Sequence, residues 1–189
     1  MSESRWRAQR VDLVTCHLKS KLLRYPGGRF DPVDEGERAR YAGYALALRA
    51  AEAITVRADA TSRLGGQGQR RALIVLGDLN DEPPAATTQL LGPPGSELDT
   101  PGFNRPDRGD GQRLWSLAPC IPEQRRFSRR FNGRNELIDH ILVSHALVQR
   151  VQSADAGTAG VRSISSDPTE RRNAAASDHA PVIARFNIP

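Results

Sequence analysis

Residues 72–76 form an uninterrupted apolar run, Ala-Leu-Ile-Val-Leu, that leads directly into the polar string Gly77-Asp78-Leu79-Asn80. An apolar run without alternation predicts a strand that is buried on both faces of its sheet. Such a strand delivers Asp78 and Asn80 to its carboxyl-terminal end, where both side chains can face one pocket. A turn stabilised by Asp78 is the alternative interpretation of this string taken alone.

Regular elements on either side of this strand predict an α/β fold. Residues 11–17 alternate and end at His17 as a strand, whereas the alanine-rich residues 35–60 predict a long helix. Two prolines open a short helix within residues 81–91. Further strands are predicted at residues 114–117, 126–131, 137–143 and 181–186. Because Asn132-Gly133 marks a hairpin, the sheet is expected to be mixed in strand direction.

The remaining segments predict loops within one domain. Residues 92–111 are dense in glycine, proline and aspartate and are expected to form a long surface loop. Residues 153–176 are small, polar and charged, which predicts a second loop. Residues 1–189 are therefore predicted to form a single domain, without an internal repeat or an interdomain linker.

The chain carries a formal net charge of +5, almost wholly from arginine, because Lys19 and Lys21 are its only lysines. Arginine binds phosphate well, which favours a polyanionic partner, although arginine is also common on solvated faces. No apolar stretch approaches the ~18 residues needed to cross a bilayer, and residues 1–7 lack the apolar core of a signal peptide. The default expectation for location is therefore the cytoplasm.

Asp139 lies inside an otherwise apolar predicted strand, where an unpaired carboxylate is costly. It therefore has to find a cation, a metal ion or a histidine, and a structural ion pair is the plainest of these alternatives. The neighbouring His140 points to the opposite face of the strand, which indicates a structural role.

Two further histidines lie beside predicted strands. His179, in Ser177-Asp178-His179, could take a proton from water if a carboxylate such as Asp139 held its other ring nitrogen. Asp178 would then point elsewhere, toward a cation, unless the string is only a helix cap. His17 ends the first strand and could contact a phosphate or protonate a leaving oxygen.

Four strings in order along the chain resemble the endonuclease/exonuclease/phosphatase superfamily, whose fold is that of deoxyribonuclease I. They are His17-Leu18-Lys19-Ser20, Gly77-Asp78-Leu79-Asn80, Ile138-Asp139-His140-Ile141 and Ser177-Asp178-His179. Residues 127–144 also resemble the bacterial nucleases of this superfamily. The resemblance implies a four-layer α/β sandwich with mixed, mainly antiparallel sheets, and hydrolysis of nucleic-acid phosphodiesters by in-line attack of water. The implied cofactor is Mg²⁺, or Mn²⁺ or Ca²⁺ in its place.

By the same resemblance, His179 is the general base or a phosphate contact, and Asp139 orients it. Asp78 positions the attacking water, and Asp178 joins the metal site. The implied phosphate-binding residues are His17, Lys19 and Asn80, of which His17 also assists the leaving group.

The sequence departs from the superfamily pattern at its beginning. The superfamily places a metal-binding asparagine and a metal-binding glutamate on early strands, and residues 1–10 cannot carry that pair. We therefore expect an N-terminal half to be missing, so that the chain is a truncated product, the C-terminal part of a split protein or a degenerate relative. A complementary chain could supply that half, and both activity and inactivity of the chain without it are left open. The alternative is a non-catalytic module that binds nucleic acid or a protein partner.

Overall fold

The computed structural model describes residues 10–92, 107–171 and 173–188, which form three α-helices and nine strands. The helices are α1 (Glu35–Leu64), α2 (Ala86–Gln89) and α3 (His145–Val148). The strands are β1 (Val11–His17), β2 (Ala72–Asp78), β3 (Leu114–Ser116), β4 (Arg129–Phe131), β5 (Arg134–Glu136), β6 (Asp139–Ser144), β7 (Val151–Ala156), β8 (Ser163–Ile164) and β9 (Val182–Phe186).

Four strands form the central sheet, in the order β1-β2-β6-β3. Strand β1 runs parallel to β2, whereas β6 runs antiparallel to both β2 and β3. The apolar run at the beginning of β2 is buried between two neighbouring strands, as its sequence predicts. The prediction of a mixed α/β fold is confirmed.

Helix α1 covers one face of the central sheet, and the pair of strands β7 and β9 covers the other. Alternate residues of β2 divide between these two layers, as expected for a strand buried on both faces. Leu73 packs in one apolar cluster with Ala53 of α1. Ile74 packs in a second cluster with Ala154 of β7 and Ala184 of β9. Burial of this apolar surface is the main term that stabilises the fold.

Both ends of α1 are fixed by single residues. Asp34 accepts a hydrogen bond from the backbone N–H of Glu37 at 2.7 Å and so caps the first turn. Gly65 adopts a left-handed φ of 52°, and its N–H donates to the carbonyl of Thr61. The helix therefore extends beyond its predicted end, to Leu64. Among the helices of the described residues, none has the length and apolar character needed to cross a membrane.

Two smaller sheets complete the described structure. Strand β4 pairs antiparallel with β5 and parallel with β8, and the first pairing confirms the hairpin predicted at Asn132-Gly133. Strand β7 pairs antiparallel with β9. The prediction of a loop over residues 153–176 is wrong for most of β7, where Ala154 and Ala156 alternate toward the core, and for β8, which pairs with β4. In the loop predicted over residues 92–111, residues 93–106 lie outside the described part of the chain.

Candidate active site

Three polar residues lie in one row across the central sheet. His17 of β1 is paired in register with Asp78 of β2, and Asp78 is paired with Asp139 of β6. Residues that are directly paired across strands project from the same face of a sheet, so these three side chains share one face. The row lies where β1 and β2 end and where β6 begins.

Gly77 lets the backbones of β1 and β2 approach closely beside this row. Its φ of 142° is one that residues with side chains rarely adopt. A Cβ atom at this position would lie 1.9 Å from the carbonyl oxygen of Cys16. The glycine that precedes Asp78 is therefore required by the backbone itself.

His179 joins the row from the segment that precedes β9. Its backbone forms an antiparallel bridge with Arg129 of β4. Its ring Nδ1 lies 2.7 Å from Oδ2 of Asp139. In the neutral tautomer with hydrogen on Nδ1, the N–H donates a hydrogen bond to Asp139, and the lone pair on Nε2 is left to accept a proton.

Ser128 connects the segments that carry Asp139 and His179. Its buried hydroxyl accepts hydrogen bonds from the backbone N–H groups of Ile138 and Asp139, at 3.1 and 3.0 Å. Its carbonyl oxygen accepts a hydrogen bond from the N–H of Ala180 at 2.6 Å. The sequence analysis missed Ser128, because a lone serine among basic and aromatic residues gives no sign of burial.

The two carboxylates of the row differ in how easily they ionise. Burial raises the pKa of Asp78. A hydrogen bond from the N–H of Asn80 lowers this pKa in part, whereas the negative charge of Asp139 raises it further. Burial also opposes ionisation of Asp139, but hydrogen bonds from His179 and Ser128 outweigh it and hold its pKa below the ordinary value. The hydrogen bond to Asp139 in turn raises the pKa of His179. The site therefore joins a stabilised ion pair to a carboxylate that is costly to ionise.

His17 and Asn80 both contact Asp78. Nε2 of His17 lies 3.5 Å from Oδ2 of Asp78, and the His17 side chain is 75% exposed. Asn80 is buried, and its Nδ2 donates to Oδ2 of Asp78 at 3.1 Å and to the carbonyl of Leu18 at 2.9 Å. Its φ of 53° is uncommon for a residue other than glycine. Asn80 thus ties the ends of β1 and β2 together and orients the Asp78 carboxylate.

Comparison with known proteins identifies the family. A family model described as "Endonuclease/Exonuclease/phosphatase family" matches residues 6–179. The chain belongs to this family. Searches of curated proteins and of solved structures gave no match. The matched range includes the whole row and His179, so the predicted family is confirmed, and with it the broad class of metal-dependent phosphoesterases.

Members of the endonuclease/exonuclease/phosphatase family typically depend on a divalent metal ion, and the row offers ligands for one. Asp78, Asp139 and His179 each provide one ligand atom, and these atoms lie within 4.8 Å of one another. Two carboxylates and an imidazole suit a divalent cation. A cation would also offset the repulsion between the two carboxylates, so the residues present fit such an ion.

Two residues that the family resemblance places in the site make other contacts. Nζ of Lys19 donates to the carbonyl oxygens of Ser20 and Leu22, at 3.0 and 3.1 Å. Oδ2 of Asp178 lies 3.4 Å from Nη1 of Arg171. The cation that Asp178 faces is thus an arginine, and within the described residues Asp178 is not part of the three-residue group.

A second cluster lies on the opposite face of the sheet. His140 is buried there, and its Nε2 lies 2.8 Å from the carbonyl oxygen of Asp81. Burial lowers the pKa of His140, which keeps the ring neutral, as suits the structural role predicted for it. The Asp81 carboxylate also binds Arg49 of α1 at 3.1 Å and Lys21 at 2.8 Å. This cluster anchors the loop that carries Asn80, and sequence missed it because Arg49 is distant along the chain.

Proposed function

We propose that this protein hydrolyses phosphodiester bonds of nucleic acid with the help of a divalent cation. The observation that carries this proposal is the 2.7 Å contact between His179 and Asp139, which lies beside the Asp78 carboxylate. An imidazole held by a carboxylate can take a proton from water, and a second carboxylate can orient that water. The net charge of +5 supports a polyanionic substrate.

In this mechanism His179 is the general base. Asp139 accepts a hydrogen bond from Nδ1–H, so Nε2 is the ring atom that removes a proton from the attacking water. Asp78, which is paired in register with Asp139, positions that water for in-line attack on phosphorus. Because the pKa of His179 is raised, its neutral form becomes abundant only above the ordinary histidine range.

His17 lies at the exposed end of the row, where we propose that it contacts a phosphate oxygen or assists the leaving group. Asn80 already donates its amide hydrogens to Asp78 and Leu18. We therefore assign Asn80 to positioning Asp78, and its contact with the scissile phosphate stays a prediction. The phosphate-binding role of Lys19, the metal-binding role of Asp178 and the four-layer sandwich also stay predictions.

The carboxylates of Asp78 and Asp139 are the groups that we propose hold the cation. When bound, a divalent ion supplies positive charge that offsets the negative charge on the phosphoryl oxygens. Mg²⁺ is the expected ion, with Mn²⁺ or Ca²⁺ as substitutes. Two facing carboxylates repel each other, and a cation would add to the partial compensation that His17 and His179 give, which supports the assignment.

The test is hydrolysis of plasmid DNA and of bis(p-nitrophenyl) phosphate with Mg²⁺, by the unchanged protein and by His179→Gln. We expect hydrolysis that stops on chelation and falls by about 10²- to 10⁴-fold in His179→Gln. The matched control is His145→Gln, because His145 follows β6 at the end opposite Asp139. His145→Gln should leave the rate unchanged.

Full activity of His179→Gln would show that the proposed base is wrong. If the unchanged protein hydrolyses neither substrate with any of the three ions, the proposal itself fails. Binding of DNA by such an inert chain would instead support the non-catalytic alternative.

A further inference from the structure

We propose that Arg134 binds a backbone phosphate of the polynucleotide substrate, a short distance along the strand from the bond that is cut. This inference rests on the proposed function for its substrate class. It concerns a binding position outside the row of His17, Asp78 and Asp139, on the hairpin formed by β4 and β5.

The hairpin is attached directly to His179. Arg129 of β4 pairs with His179 on one edge and with Glu136 of β5 on the other. Paired residues project from one face, and so do residues two apart along a strand. Phe131 therefore shares this face, and so does Arg134, because it is paired with Phe131.

The position of Arg134 relative to His179 follows from this register. Arg134 lies one same-face row further along and two strand spacings across. With about 3.4 Å per residue and about 4.8 Å between strands, its backbone lies about 12 Å from that of His179. Successive phosphates advance about 3.4 Å per nucleotide along the helix axis and lie further apart than this along the strand itself, so the distance spans no more than about three nucleotides.

The two arginines on this face, Arg129 and Arg134, differ in whether a carboxylate already neutralises their charge. The guanidinium of Arg129 binds the Glu136 carboxylate, with Nε at 3.1 Å from Oε2, and lies over the Phe131 ring. Arg134 is exposed, and no ion pair to it occurs among the described residues. On the opposite face, Arg130 is held by Asn135 and by the Phe127 ring. Of the two arginines on this face, Arg134 is thus the one without a carboxylate partner among the described residues.

A guanidinium at a fixed distance from the reacting centre suits a ligand with regularly spaced phosphates. A small phosphoester cannot reach both positions. The inference therefore predicts that Arg134 contributes to binding of long substrates and contributes nothing to turnover of small ones.

The experiment compares Arg134→Gln with Arg70→Gln. Arg70 is also exposed and without an ion pair among the described residues, but it precedes β2, at the end opposite Asp78. Each variant removes one positive charge. Binding of a fluorescein-labelled 20-base-pair DNA is measured by anisotropy in a chelating buffer, so that nothing is cut. Hydrolysis of bis(p-nitrophenyl) phosphate is measured separately with Mg²⁺.

Arg134→Gln is expected to raise Kd for the DNA about 5- to 10-fold at low salt and to reduce the slope of log K against log salt by about 1. Arg70→Gln should bind as the unchanged protein does, and neither variant should change turnover of the small substrate. Equal affinity of the two variants, or no DNA binding by the unchanged protein, would overturn the inference. Failure of hydrolysis alone would count against the proposed function and would leave the binding result to decide on Arg134.

Discussion

Asp78 and Asp139 stand directly opposite each other in the antiparallel pair of β2 and β6, so two carboxylates share one face of the sheet. Like charges at directly opposite positions destabilise a sheet. Burial and this neighbour together raise the pKa of Asp78. His179 and His17 offset part of this repulsion, and a cation bound between the two carboxylates would offset it further.

Mg²⁺ is therefore expected to stabilise the protein against heat. Binding to the folded state alone raises Tm, and the rise grows with the concentration of free ion. Asp78→Asn should lose most of this shift, because it removes one of the two facing charges. Asp31→Asn, which removes an exposed charge, is the control and should keep it. Scanning calorimetry measures the rise in Tm on adding Mg²⁺ for each variant. Equal rises in the two variants would show that Mg²⁺ does not bind at Asp78.

The raised pKa of His179 predicts how stability depends on pH in the metal-free protein. Its folded pKa lies above the unfolded value of about 6.5, so protonation stabilises the fold fully below pH ~6.5. This contribution is lost as the pH rises through the folded pKa. Asp139→Asn replaces the carboxylate that causes the shift with a neutral amide, so the pKa of His179 should fall. Titration of the ring by NMR and urea unfolding across this range measure both effects.

The same shift predicts the pH dependence of hydrolysis. A general base must be neutral, so the rate should rise as the pH passes through the pKa of His179, above about 6.5. In Asp139→Asn the remaining activity should rise at lower pH. If the rise of the hydrolysis rate occurs at the same pH in Asp139→Asn as in the unchanged protein, then a group other than His179 causes that rise.

Ser128→Ala is expected to lower stability and rate together. The variant leaves the buried N–H groups of Ile138 and Asp139 without an acceptor, which costs about 1 to 3 kcal/mol. Asp139 then loses the contact that orients it toward His179, so kcat should fall while folding is retained. Ser163→Ala is the control, because its hydroxyl accepts a hydrogen bond at the exposed turn, from Gly133. Urea unfolding and kcat should change little in the control.

Two glycine substitutions should have opposite effects on stability. Gly77→Ala places a Cβ against the Cys16 carbonyl at a φ of 142°, so we expect a loss of about 3 kcal/mol or more. Gly43→Ala lies on the exposed side of α1 with no atom near its Cβ, so a gain of about 0.5 to 1 kcal/mol is expected. Unfolding by urea gives both values. A Gly77→Ala protein as stable as the original would show that β1 and β2 do not approach as described.

The sequence was enough to predict the site residues that lie at the ends of strands, His17 and Asp78. The apolar run before Asp78 and the alternation before His17 fix where two strands end, and two parallel neighbours then bring those ends together. Sequence could not predict which residues hold this geometry. Ser128 and Arg49 act through contacts between segments far apart in the chain, and neither stands in a recognisable pattern. The strand β7 was missed because its small, polar residues resemble a loop until the core that receives Ala154 is known.

Asp139 and His179 are proposed to act as one catalytic unit, in which Asp139 orients the ring of His179. The most direct test is the rate of Mg²⁺-dependent phosphodiester hydrolysis in Asp139→Asn, His179→Gln and the double variant. Residues that act as a unit are strongly non-additive, so the double variant should be about as slow as His179→Gln alone. Losses that multiply in the double variant would show that the two side chains act independently and would contradict the account.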